Sequence, residues 1–356
     1  MKLDAYQALV TGTPFEATAE GVIARPDITD PQRGHPDAVA VVRTSGSTGT
    51  PKQTLLTASA LAASAQATAD YIGGEGQWLL AVGTQYVAGL AVVSRSVQAG
   101  TAPVVIDPSF GPEEFVAGTN RLDHEFTAVS MVPTQLLRLL DDDAAIAALQ
   151  SYSAILVGGS AIPDRITDAA VQHGLNLYKT YGMSETCGGC IYDGTPLPGV
   201  TVDTVPHNGL DRLRITGPMV AAGYFDDPGL TATHFDNGSY LTDDYGSITD
   251  GVVQVAGRLD DVINTGGVKV SAAQVQKVLQ RWVPQAFVTG LPDPHWGQRV
   301  SAVITGDVAP EVLADAVRAA LGAAAVPKTW LRVDALPMLE NGKPDRITLI
   351  EWLAKE

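Results

Sequence analysis

The chain has 356 residues, 45% of them hydrophobic, and a formal net charge of −16. That length favours two domains over one, with enough apolar residues for a full-sized core. So acidic a surface repels nucleic acid and anionic membranes, which excludes both as partners, and an anionic substrate would need a locally basic pocket.

The N-terminus lacks the basic start and apolar core of a signal peptide. No apolar run approaches the roughly 20 residues of a membrane span, and two cysteines give no disulfide framework. A cytoplasmic protein without membrane insertion is expected. Between residues 38 and 182, apolar runs at 39–42, 78–82, 103–106, 128–131, 154–157 and 175–178 alternate with helical segments, among them 58–71, 88–99, 134–140 and 164–173. This alternation predicts a parallel sheet with helices on its faces, whose ligands bind outside the carboxyl ends of the strands. From 198 to 257, Gly, Pro, Asp and Asn punctuate short runs, predicting a smaller β-rich subdomain. The pattern then resets. Val275, Val278, Leu279 and Trp282 share a helical face, strands are predicted at 287–291 and 300–304, and helices near 311–321 and 347–353. The expected fold is α/β. A large N-terminal domain over 1–259 holds mainly parallel sheets flanked by helices plus the β-rich subdomain, and a small α+β domain covers 260–356.

Five segments carry chemistry. Thr44-Ser45-Gly46-Ser47-Thr48-Gly49-Thr50-Pro51-Lys52 follows the first run. Its backbone N–H groups, hydroxyls and single cation suit a polyphosphate. It is not the Gly-x-x-x-x-Gly-Lys-Ser/Thr loop, because Lys52 stands three residues after the second glycine. Tyr181-Gly182-Met183-Ser184-Glu185-Thr186 offers an aromatic ring for a base and a carboxylate for Mg²⁺. In Tyr240-Leu241-Thr242-Asp243-Asp244-Tyr245-Gly246 a carboxylate could accept both hydroxyls of a ribose. Gly257 to Val270 covers the predicted domain boundary, and Asn341-Gly342 makes a tight turn presenting Lys343. Each also has a plain structural reading: a surface turn, a strand-to-helix turn capped by Ser184, an acidic turn, a charged linker with a hairpin, and a solvated lysine.

Taken in this order, the five segments resemble the adenylate-forming superfamily of acyl-CoA synthetases, luciferases and peptide-synthetase adenylation domains, from about residue 38 to the C-terminus. The resemblance implies an acid–thiol ligase using ATP, Mg²⁺ and coenzyme A. The acid's carboxylate attacks the α-phosphorus, pyrophosphate leaves, and the coenzyme A thiol then displaces AMP. It implies that Thr44, Ser45, Gly46, Ser47, Thr48, Gly49 and Lys52 hold the β- and γ-phosphates. Gly158, Gly159, Ser160, Tyr181, Gly182, Met183 and Ser184 belong to the nucleotide pocket, with Tyr181 on adenine. Glu185 binds Mg²⁺, Asp244 the ribose, and Arg258 reaches the nucleotide. Lys343 bridges carboxylate and α-phosphate. Asp260 is the hinge of a mobile C-terminal domain, and Gly266, Gly267 and Lys269 meet coenzyme A. The chain departs from the pattern at Asp243, where the family has glycine, so Asp243 and Asp244 could exchange roles. Ser184 replaces a commoner threonine, and Tyr86 stands where a histidine is usual. Only about forty residues precede the phosphate loop. The core that this would leave exposed makes a homodimer an expectation.

The strings Ser130-Met131-Val132-Pro133-Thr134-Gln135-Leu136-Leu137-Arg138-Leu139-Leu140, Val157-Gly158-Gly159-Ser160-Ala161-Ile162-Pro163 and Ser184-Glu185-Thr186-Cys187-Gly188-Gly189-Cys190 resemble the short actinobacterial o-succinylbenzoate–CoA ligases of menaquinone synthesis. That implies a dicarboxylate acid, whose second carboxylate needs a fixed donor. Arg138 is the candidate, directly or through water, against a reading as a solvated helix face. Tyr86, Ser160, Gly188 and Gly189 are candidates for the slot around the aromatic ring. Two other readings stand beside this one: a ligase for a different aryl or fatty acid, and a nucleotide-binding pseudoenzyme. Lys52, Glu185, Asp244, Arg258 and Lys343 together argue against the second. Cys187 and Cys190 form a Cys-x-x-Cys, read as apolar pocket wall rather than a redox or metal site.

Overall fold

The computed structural model describes residues 4–44, 52–339 and 344–356. It contains two compact units. The first comprises Met1–Asp203, Arg214–Leu241 and Thr249–Val253, and the second Thr204–Leu213, Thr242–Ile248 and Gln254–Glu356.

The centre of the first unit is a seven-stranded sheet in the order Thr195–Pro196, Gly188–Tyr192, Leu177–Met183, Ala154–Gly158, Thr127–Met131, Gln77–Leu80 and Val104–Val105. The five strands from Leu177–Met183 to Val104–Val105 are parallel, and the other two are antiparallel. Parallel neighbours need crossovers, which the helices Val87–Gln98, Pro112–Thr119, Pro133–Leu139, Asp143–Gln150 and Asp164–His173 supply. Covered on both faces, strand Ala154–Gly158 is apolar and buried from Ala154 to Val157. Its core includes Leu79, Met131, Leu136 and Ile166, with Phe110, Phe115 and Tyr152 stacked in series.

Two expectations shift. The run at 39–42 does not enter this sheet. It lies in strand Ala38–Thr44 of a second sheet, ordered Gly223–Tyr224, Lys52–Thr57, Ala38–Thr44, Phe15–Thr18 and Gly21–Ala24. Strand Lys52–Thr57, unnoticed in the sequence, pairs antiparallel with Ala38–Thr44, as a direct short connection requires. The run at 175–178 becomes Leu177–Met183. Gly174 (φ 64°) ends the preceding helix, and the Leu175 N–H closes on the Ala170 carbonyl, so the run's first residue belongs to the helix exit. The Tyr181-Gly182-Met183 segment therefore lies on the strand rather than after it.

A third sheet has the order Thr201–His207, Leu210–Thr216, Ser239–Thr249 and Phe235–Asp236, with Val252–Arg258 also paired to Ser239–Thr249. The unit boundaries fall inside its strands. The rest of the second unit is a sheet of Val268–Ser271, Val262–Thr265, Gly297–Ile304 and Ala286–Asp293, with Thr329–Arg332 parallel to Gly297–Ile304. Strand alternation sends Val288, Val300, Ala302 and Ile304 to the face covered by helices Ala272–Leu279 and Pro310–Leu321. Phe287, Leu291 and Val303 go to the face covered by helix Arg346–Leu353. Among the described residues no helix is long and apolar enough to cross a membrane.

Candidate active site

In the first unit, Thr44 and Lys52 are register partners. They bracket the segment expected to hold phosphates, whose Ser45, Gly46, Ser47, Thr48 and Gly49 lie outside the described residues. The Lys52 ammonium sits 5.4 Å from the centroid of the Tyr224 ring. Tyr224 lies opposite Thr54 on the neighbouring strand. Its hydroxyl donates to Glu185 Oε1 at 2.8 Å and is 3.4 Å from the Tyr240 hydroxyl. Burial, and after it the Glu185 charge, push the Tyr224 hydroxyl well above the ordinary phenol range, so it stays protonated and donates. Glu185 is 6% exposed, and its carbonyl accepts the Ala221 N–H at 2.9 Å. One side chain thus links the lysine of the first segment to the carboxylate of the second.

Glu185 Oε2 accepts no hydrogen bond among the described residues. A buried carboxylate with one oxygen to spare fits a hard cation that keeps phosphate oxygens and water as its other ligands. Among the described residues no group of three or more His, Cys, Asp or Glu could hold a metal by itself.

The strand ends beside it are shaped by glycine. Gly182 pairs with Gly189, and a Cβ on Gly182 would lie 2.0 Å from the Gly188 carbonyl oxygen. Gly188 has φ 110°, and a Cβ on Gly189 would strike the Tyr192 ring at 2.6 Å. Thr186 Oγ1 accepts the Met183 N–H at 3.0 Å and donates to the Gly188 carbonyl at 2.7 Å. The hydroxyl closing this turn is therefore that of Thr186, not Ser184. Gly158 is the register partner of Thr180, which brings Gly159 (φ 84°) and the exposed Ser160 to the strand end carrying Tyr181 and Gly182. Cys187 and Cys190 are buried. Burial pushes the Cys187 thiol far up and that of Cys190 to about 12, so neither offers a thiolate near neutrality.

Tyr86 opens helix Val87–Gln98, its N–H on the Gly83 carbonyl at 3.1 Å. Arg138 is exposed in the last turn of Pro133–Leu139, and its Nη1 donates to the carbonyls of Ser109 (3.0 Å) and Phe110 (2.7 Å). One turn earlier, buried Gln135 donates from Nε2 to the carbonyls of Ala81 and Pro108, both at 2.9 Å. Gln135 and Arg138 together pin the 107–110 segment, which gives Arg138 a structural contact besides its expected role. Sequence reasoning missed both Gln135 and Tyr224. The i, i+3 spacing of Gln135 and Arg138 was the only signal for the first.

In the second unit, buried Asp244 donates its N–H to Thr242 Oγ1 (3.0 Å), which donates to the Leu213 carbonyl (2.9 Å). Asp243 pairs with Arg212 at 2.9 Å. Arg258 Nη1 lies 3.6 Å from Asp244 Oδ1, while its Nε and Nη2 fork onto Asp260 at 2.9 and 3.2 Å. Burial alone would lower the Arg258 pKa, but the hydrogen bonds and charge of Asp260, with Asp244 and Asp243 behind, hold it above the ordinary value. Gly266 (φ 57°) and Gly267 (φ 81°) form the hairpin turn between Val262–Thr265 and Val268–Ser271. Lys269 Nζ donates to the Asn208 carbonyl. Lys343 lies outside the described residues. Next to it, Met338 bridges to Pro344, the Asp345 N–H reaches the Pro337 carbonyl at 2.8 Å, and Asp345 caps helix Arg346–Leu353.

Residues 5–225 match the model of the AMP-binding enzyme family, and residues 278–343 that of the AMP-binding enzyme C-terminal domain. The chain belongs to the AMP-binding enzyme family. A "Probable 2-succinylbenzoate–CoA ligase" of Mycobacterium tuberculosis is 41% identical over 332 residues, covering 90% of this chain and 86% of its own. The 2-succinylbenzoate–CoA ligase of Escherichia coli is 32% identical over 327 residues, covering 88% and 68%. Among solved structures, o-succinylbenzoate CoA synthetase of Bacillus subtilis in complex with its acyl-adenylate intermediate matches with a TM-score of 0.76 at 26% identity, over 88% of this chain and 69% of that one. The amide bond synthetase McbA of Marinactinospora thermotolerans matches with a TM-score of 0.79 at 26% identity, over 90% and 71%. The expected fold class, an α/β adenylate-forming architecture, is borne out.

Proposed function

We propose that the chain is an ATP-dependent carboxylic acid–CoA ligase acting through an acyl adenylate, and that its acid is o-succinylbenzoate. The single observation that carries the acid is the 41% identity to the mycobacterial ligase over most of both chains. In adenylation a carboxylate must approach a polyphosphate of like charge. Lys52, Arg258 and Lys343 offset that repulsion and stabilise charge gathering at phosphorus. Mg²⁺, when bound, would neutralise phosphate oxygens, with Glu185 as its protein ligand held in place by Tyr224. The phosphate-loop residues hold the departing pyrophosphate, Tyr181 stacks on adenine beside the Gly158–Ser160 turn, and Asp244 binds the ribose. The pairing of Asp243 with Arg212 supports Asp244 in that role. Gly266, Gly267 and Lys269 meet coenzyme A. Region 260–356 swings about Asp260, so that Lys343 can leave before the thiol arrives. Tyr86, Ser160, Gly188 and Gly189 line the ring slot, and Arg138 binds the second carboxylate. A cytoplasmic homodimer completes the proposal.

Coenzyme A ligation with o-succinylbenzoate, beside benzoate and a fatty acid, tests it. Preference for another acid overturns the substrate assignment, and absence of acid-dependent ATP–pyrophosphate exchange with all of them overturns the enzyme. An unchanged KM for o-succinylbenzoate in Arg138→Ala removes Arg138 from the acid site.

A further inference from the structure

The turn Leu259–Asp261 has no residue in the core and no side-chain cap. Strands Val252–Arg258 and Val262–Thr265 hold its two ends, and the side-chain contacts of the turn itself are made by its carboxylates. Two consecutive aspartates face different arginines: Asp260 takes the fork of Arg258, and Asp261 accepts from Arg346 Nη2, 85 residues further along the chain. Arg346 is itself fixed. It is the first residue of helix Arg346–Leu353, behind the Asp345 cap, and its guanidinium lies 5.7 Å from the ring centroid of Phe287. Phe287 is buried in the cluster with Leu349 and Leu353 that seats the helix on the sheet. A planar guanidinium can stack and donate at once, which an ammonium does less well.

We propose that Arg346 is a positioning residue for nucleotide binding: through Asp261 it fixes the 259–261 turn and so keeps Arg258 directed at Asp244. The ties run in series from the sheet-bound helix to Asp261, through the turn to Asp260, and from Arg258 to the buried carboxylate of Asp244. Losing the first link removes the one tie from the turn to helix Arg346–Leu353 that the described contacts show, and touches no group that meets the nucleotide. The inference rests on the reading of Arg258 and Asp244 as nucleotide-binding residues.

The test is AMP affinity by calorimetry, together with KM for ATP and kcat in acid-dependent ATP–pyrophosphate exchange. Arg346→Ala and Asp261→Asn should each weaken AMP binding and raise KM for ATP about fivefold, the scale of one half-exposed ion pair acting at a distance. The kcat should change little, and the melting temperature should stay near that of the parent. The double variant should be no worse than either single one, because both remove the same link, and Arg346→Lys should recover part of the loss. Parental AMP affinity in Arg346→Ala overturns the proposal, and so do single losses that multiply in the double variant. Exchange that is absent in the parent with every acid overturns the ligase reading instead, and AMP affinity still decides this one.

Discussion

Glu16→Gln tests how the strand beside the pair Ala38–Thr44 and Lys52–Thr57 is held. Glu16 pairs in register with Val41 on strand Ala38–Thr44, and its side chain is 7% exposed. Arg25 and Arg43 both donate to it, Arg43 Nη2 at 3.1 Å from Oε2. Burial pushes the Glu16 carboxyl up, but hydrogen bonds and charge from Arg43 and Arg25 outweigh it and leave the pKa below the ordinary 4.5. Breaking a buried pair costs about 3–5 kcal/mol. The low end applies here, since Arg25 keeps its fork on Asp27 and Arg43 is half exposed and can turn to water. At about 2–4 °C per kcal/mol for a domain of this size, the melting temperature at pH 7 should fall by roughly 6–12 °C. A depressed native pKa contributes stability above the unfolded value and loses it as pH falls through the native one. The gap between parent and variant should therefore shrink as the pH drops below about 4.5. Calorimetric scans from pH 7 to pH 3.5 measure both effects. Equal melting temperatures at pH 7, or a gap that persists on acidification, would refute the reasoning.

Tyr224→Phe keeps the ring under Lys52 but removes the donor to Glu185. Losing a hydrogen bond to a charged acceptor is worth about 1.5–3 kcal/mol, so ATP–pyrophosphate exchange should slow at least about tenfold, and a parental rate would separate Tyr224 from the site. Gly182→Ala places a methyl 2.0 Å from the Gly188 carbonyl. It should disrupt the strand pair and abolish exchange, and a folded, active variant would contradict that packing. Lys343→Ala should abolish adenylation while sparing thioester formation from pre-made acyl adenylate; equal loss of both steps would count against the swinging domain.

The parts of this protein legible in the chain are those with local signals. Strand and helix periods placed the elements they named within a few residues, because each depends on its own apolar spacing, and left others such as Phe15–Thr18, Asp143–Gln150 and Ser239–Thr249 unread. The Gly266-Gly267 turn was readable from its glycine pair, whereas the string from Tyr181 to Thr186 was read through the family resemblance and placed after the strand on which Tyr181, Gly182 and Met183 lie. Tertiary structure alone decided three things. It sent strand Ala38–Thr44 to its own sheet, because its hairpin partner Lys52–Thr57 has no strong apolar signature. It gave Glu185 its donor, because Tyr224 lies 39 residues away. It tied Asp261 to Arg346 across 85 residues. The sequence alone supplied the charged residues, Lys52, Glu185, Asp244, Arg258 and Lys343, to which the resemblance gives nucleotide roles. Their neighbours came only from folding, because an ion pair or a buried hydrogen bond depends on separation in space, which residue spacing does not encode.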